Sequence, residues 1–146
     1  VAYDSNKKEW GVAVQSKFLA CAAVVSWARA GAGAVATQSF ANIAYGIEGL
    51  DLMERGLSAA DTIETLTAAD ENRAQRQVGM VDRNGRAAAF TGEGCYDWAG
   101  HIVGEGFTCQ GNIRWGQSRP TGGRRDGGAS QWRLWWQQRP LSGPAC

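Results

Sequence analysis

Three segments near the front of the chain are apolar but do not alternate: Val12–Val14, Ala22–Val25 and Gly33–Ala36. A strand in an antiparallel sheet with one wet face alternates apolar and polar side chains along its length. These segments do not, so if they are strands both of their faces must be covered. Their Ala and Gly content would let the covering layers approach closely. Two stacked sheets with helices outside satisfy that requirement. The polar residues that interrupt the region, Gln15, Ser16, Lys17 and Arg29, are then expected at strand ends, where a sandwich opens into a cleft. A cleft between covered sheets that is lined by basic side chains is a candidate site.

The rest of the chain agrees with layered α+β structure. Residues 1–16 read as a hairpin with its turn at Ser5-Asn6-Lys7-Lys8, followed by strands over Ala22–Ala30 and Gly33–Gln38. A helix then presents Ile43, Ile47, Leu50 and Met53 on one face and ends at Gly56. Ser58 caps a second helix, with Asp61 as its capping-box partner and Ile63 and Leu66 as its stripe. Gln77–Asp82 and Arg86–Thr91 flank Asn84-Gly85, the pair that best tolerates a tight hairpin turn. A loop follows over 93–106, then a short strand over Phe107–Asn112. Strands, two helices and strands, with hairpin-linked pairs, argue for antiparallel sheets rather than βαβ units.

At 146 residues, with 44% hydrophobic and 20% charged residues, the chain holds one domain's worth of core. The longest apolar run, Phe18–Val25, is too short to span a bilayer. Charge divides it in two. Residues 1–113 carry 9 Lys and Arg against 13 Asp and Glu, whereas 114–146 carry 6 Arg against Asp126 alone. That tail also holds all 3 prolines and Trp115, Trp132, Trp135 and Trp136, with neither helical nor strand period, and is expected to be irregular. Arg with Trp suits a nucleic-acid arm. The same composition, with almost no aliphatics and an abrupt onset after Ile113, also suits GC-rich DNA read out of frame, and this second account is preferred.

Several short motifs invite a chemical reading. Gly31-Ala-Gly33-Ala-Val-Ala36 fits a dinucleotide-binding loop, but that loop must open a helix and the strand-like VATQSF follows. Cys21, Cys95, Cys109 and Cys146 lack metal-ligand spacing, and the 1 histidine, His101, adds no cluster. No metal or cofactor is expected, and the thiols are read as reduced, in a cytoplasmic protein. No G-x-S-x-G elbow offers a serine to His101. Cys95 with His101 would make a thiol nucleophile and base, but a structural thiol is the preferred account.

The segments GVAVQSKFLA (11–20), VVSWARAGAGAVATQ (24–38), RQVGMVD (76–82) and AAAFTG (87–92) carry a family resemblance. So do Asn42, Tyr45-Gly46 and Gly49-Leu50, and the run Cys95…WAGH…GEGF…QGNI (95–113). Together they resemble the bacterial family of domain of unknown function 1028, assigned to the N-terminal-nucleophile (Ntn) hydrolases. The resemblance covers 1–113 and implies a four-layer αββα sandwich of antiparallel sheets, incomplete in this chain. It implies a first-residue Thr, Ser or Cys that attacks an amide carbonyl, with its own α-amine as base. Family members start Met-Thr a few residues before the strand matching Val1-Ala2-Tyr3-Asp4, so the nucleophile is expected upstream of Val1 and this chain is expected to be inactive.

On this basis Ser16, Lys17, Arg29, Gln38 and Asn112 are the expected catalytic-site residues. The basic ones would lower the amine's pKa, and Gly111 and Asn112 would donate to an oxyanion. Tyr45, Cys95 and His101 are the expected substrate-binding residues. Alternatively, Lys17 and Arg29 merely pair with acids such as Glu105. The expected function is hydrolysis of a small amide or peptide-like substrate by full-length relatives. The alternatives are a non-catalytic ligand-binding or interaction module of the same fold, and nucleic-acid binding through 114–146. Exposed sheet edges make a homodimer a further expectation.

Overall fold

A computed structural model describes residues 1–96 and 99–112. The expectations for the 114–146 tail lie outside the described residues.

The strands form two four-stranded antiparallel sheets. The first has the order β2-β1-β8-β7, from β1 (Ala2–Asp4), β2 (Glu9–Gly11), β7 (Gly100–Gly104) and β8 (Phe107–Gly111). The second has the order β3-β4-β5-β6, from β3 (Ser26–Arg29), β4 (Gly33–Ser39), β5 (Arg76–Asp82) and β6 (Ala87–Thr91). Strands β5 and β6 lie against β8 and β7, so the sheets stack face to face. Helices α2 (Ala44–Glu54) and α3 (Ala59–Ala68) cover the outer face of the second sheet. The described residues thus form an α+β sandwich of helix, sheet and sheet.

Register gives each β5 side chain its layer. Val78 and Met80 join Val35, Tyr45, Leu50, Met53, Ile63 and Leu66 in the helix-side core. Gln77 and Gly79 turn to the other sheet. An added Cβ on Gly79 would collide with Thr108 Oγ1 and the Gln110 carboxamide of β8, so glycine there admits a polar contact between the sheets. Gln110 Nε2 donates to Ala36 O (3.1 Å) across the gap.

The central hairpin forms as expected, with Val81 opposite Ala87. Within this turn only Gly85 takes a positive φ (+78°). Asp82 replaces the second left-handed residue, because its Oδ1 accepts from the backbone N–H of Asn84 (2.9 Å) and Arg86 (3.0 Å). Asp4 steers the first hairpin in the same way, accepting from Asn6 (2.9 Å) and Lys7 (3.1 Å). Gly56 (φ +107°) ends α2, and Ser58 Oγ caps α3 by accepting from Asp61 N–H (3.1 Å).

Four local expectations are corrected. The covered-strand rule holds for Gly33–Ala36, which is fully buried, but 12–16 lies outside any ladder once β2 ends at Gly11. Ala22–Val25 is a helical turn, α1, rather than the start of a strand. Trp27 holds the switch to β3: its indole N–H donates to Val24 O (2.9 Å), and its ring fills the space over Gly46. The buried face of α2 is Tyr45, Gly46, Gly49, Leu50 and Met53, whereas Ile43 and Ile47 are exposed. Its two glycines let the helix settle onto Trp27 and Met80, so small size marks the contact rather than hydrophobicity. Residues 100–104, expected as loop, form β7 because β8 supplies a partner.

Candidate functional site

The end of β4, the start of β5, the end of β6, the start of β7 and the end of β8 meet at one end of the sandwich. At their centre is Gln77, 0% exposed. Its Nε2 lies within donating distance of three acceptors on three strands, which share its two hydrogens: Thr91 Oγ1 (3.0 Å), Gly100 O (3.0 Å) and Gly111 O (3.1 Å). Its Oε1 accepts from Gln38 Nε2 (2.8 Å) and Asn112 Nδ2 (2.9 Å). One carboxamide therefore ties both sheets together and fixes the neighbouring pair. A buried polar group without partners is costly, and this one is saturated.

His101 extends the cluster. Its Nδ1 lies 2.8 Å from Thr91 Oγ1. Thr91 Oγ1 also accepts from Gln77, so the hydroxyl links the imidazole to the carboxamide, with donor and acceptor in the His101 contact set by the imidazole tautomer. Partial desolvation of the ring lowers its pKa, so the neutral form is favoured.

Of the residues expected at the site, Gln38, Asn112 and His101 are brought together. Arg29 is not. It lies opposite Gly33 on the helix side of β3, where it pairs with Asp51 (2.7 Å) and Glu54 (2.7 Å) of α2. Those two carboxylates raise its pKa. Ser16 and Lys17 are exposed in the connection after β2, where Ser16 Oγ accepts from Phe18 N–H (3.1 Å). The expected cleft flanked by Lys17 and Arg29 is therefore replaced by an amide-lined end, because the β3 register turns Arg29 outward.

Tyr45 and Cys95 belong to a separate cluster on the helix side. Tyr45 Oη donates to Asp70 Oδ2 (3.0 Å), and the Arg76 guanidinium pairs with the same carboxylate at 2.8 Å. Arg76 holds the Asp70 carboxyl well below the usual carboxylate range, against an opposing effect of burial. Burial, reinforced by Asp70, pushes the Tyr45 phenol up. Cys95 Sγ donates to Arg76 O (3.3 Å). An open groove of about 590 Å³ between α2 and α3 includes Tyr45, Glu48, Asp51 and Asp70 in its lining.

Sequence reasoning missed Gln77, Thr91, Thr108 and Gln110. A signal existed for Gln77. It is an uncharged polar residue at the start of RQVGMVD, a strand buried from Gln77 to Asp82, and such a residue must find partners inside. No group of three or more His, Cys, Asp or Glu side chains suited to a metal occurs among the described residues.

Fold and cluster together define an α+β protein of two facing antiparallel sheets with a carboxamide network at one end. The chain belongs to a family of unknown function, DUF1028, whose model matches residues 1–122. It is similar to protein SPO2555 from Silicibacter pomeroyi, a solved DUF1028 structure, at 30% identity and a TM-score of 0.63. The match covers 65% of this chain and 42% of that one, so the chain spans about two-fifths of that relative's length. No curated protein matches the chain.

Proposed function

We propose that this chain carries part of an Ntn-type amide hydrolase whose full-length form acts on a small amide or peptide-like substrate. The observation that carries the reading is the register of β1 on β8. Ala2 lies opposite Phe107, and the chain runs antiparallel from there. Residues preceding Val1 in a longer chain, if they kept that register, would run beside Cys109 and Gln110 toward Gly111 and Asn112. A nucleophile a few residues upstream would then arrive beside the Gln38–Gln77–Asn112 network.

The chemistry follows from that arrangement. The nucleophile's oxygen bonds to the substrate carbonyl carbon, and its proton passes to the chain's own α-amine. Asn112 Nδ2 is suited to donate to the oxyanion that develops. Collapse transfers the proton to the leaving amine, and water then hydrolyses the acyl-enzyme ester. Three described cysteines, Cys21, Cys95 and Cys109, are free thiols, which supports a reducing, cytoplasmic location. No helix among the described residues is long and apolar enough to cross a membrane.

The test is a chain extended upstream to a Met-Thr start and completed at its C-terminus, assayed on a panel of small amides. Turnover is expected, with loss of at least a thousandfold for Thr→Ala. Equal turnover by the Ala variant refutes the assignment. A second reading, a non-catalytic binding module, is supported by the self-saturation of Gln77, and predicts ligand retention without turnover.

A further inference from the structure

The Gln77 network carries information about what the site can bind. Carboxamide nitrogen and oxygen are told apart by their partners, and the partners of Gln77 leave one choice. Gly100 O and Gly111 O are carbonyls that can only accept, so the group facing them must be the NH2. Rotating the carboxamide by 180° would set oxygen against oxygen twice, in a fully buried position. With that orientation fixed, Gln77 Oε1 is turned toward the side chains of Gln38 and Asn112, and an oxygen there demands donors. Gln38 and Asn112 must each turn an NH2 toward it.

Each of those two nitrogens carries a second hydrogen. Among the described residues neither is donated to a protein acceptor, and both side chains are only half-buried. Because both nitrogens bond one oxygen, they are no farther apart than two hydrogen-bond lengths. Two backbone carbonyls on β7 and β8 thus dictate, through Gln77, that the end of the sandwich presents a pair of N–H donors.

We infer that Gln77 is a positioning residue that holds Gln38 Nε2 and Asn112 Nδ2 as a donor pair, forming a subsite for the oxygen of a planar carboxylate or amide carbonyl. Gln38 becomes a second ligand-contacting residue beside Asn112, on a different sheet. The inference deepens the site of the proposed hydrolase but needs neither nucleophile nor turnover, so it can be tested on this chain.

The experiment is NMR of the side-chain amides in the ¹⁵N-labelled chain, titrated separately with acetate and with N-methylacetamide. Gln38 and Asn112 are each expected to show one downfield, Gln77-bonded proton, and their other proton should shift on titration. Response to acetate identifies a carboxylate subsite, and response to N-methylacetamide a carbonyl subsite. Gln77→Met should return both amides to free positions and weaken the responding probe at least tenfold. Gln38→Met should weaken it similarly while leaving the downfield Asn112 proton in place, a change that a purely structural role would not produce. Free-amide shifts in the parent chain, no response to either probe, or parent-like affinity in Gln38→Met would each overturn the inference. Loss of hydrolysis in the completed protein with probe binding intact would remove the enzyme and keep the subsite.

Discussion

Replacing Gln77 by leucine isolates the energetic weight of the network. The side chains are similar in volume, so packing changes little, but every bond of the carboxamide is removed. Gln38 and Asn112 can turn their NH2 groups to solvent, and Thr91 keeps His101. The carbonyls of Gly100 and Gly111 keep each other's strand as partner in the β7–β8 ladder, but each loses its second bond, the one to Gln77 Nε2. Leaving the second lone pair of a half-buried carbonyl unmet falls in the lower part of a range of about 1–3 kcal/mol. Two of them cost about 2–4 kcal/mol, offset by about 1.5–2 kcal/mol for burying the leucine. The expected net loss is therefore about 1 kcal/mol. In urea unfolding that is a midpoint shift of roughly 0.5–1 M at constant slope. Gln77→Leu within about 0.5 kcal/mol of the parent, or more stable, would refute the reasoning, since it would mean that water already satisfies those carbonyls.

Asp70→Asn should destabilise by about 3 kcal/mol, because Asp70 and Arg76 are little exposed (9% and 15%) and the substitution leaves the guanidinium without its counter-charge. The folded Asp70 binds its proton more weakly than the unfolded one, so its contribution is present above about pH 4 and lost as pH falls below that. Denaturation midpoints followed downward from pH 5 should fall less steeply in the variant, and equal slopes would contradict this. Arg29→Met should leave both the denaturation midpoint and the Gln38 and Asn112 resonances unchanged, because its ion pairs are solvent-exposed and on the helix side. A shift of those resonances would return Arg29 to the site.

The sequence expressed what is local. Asn84-Gly85 marked the central hairpin, Gly56 the end of α2 and Ser58 the start of α3, because turns and caps depend on the φ preferences and hydrogen-bonding reach of a few adjacent residues. The unbroken burial of Gly33–Ala36 was equally legible, since absence of alternation already requires two covering layers. Ile43 and Ile47 misled because apolarity suggested burial, while the contact face was made by Gly46 and Gly49, whose meaning lies in what sits opposite.

The composition of the site was a matter for the tertiary structure alone. Arg29 and Gln38 look like equal candidates along the chain, yet the β3–β4–β5 register turns Arg29 toward α2 and Gln38 toward Gln77. Asn112 reaches the same oxygen from the other sheet, across 35 residues of sequence. Strand pairing assigns every second side chain to one layer, and sheet stacking then decides which buried polar atoms can meet. Neither is encoded in the spacing of residues within one segment.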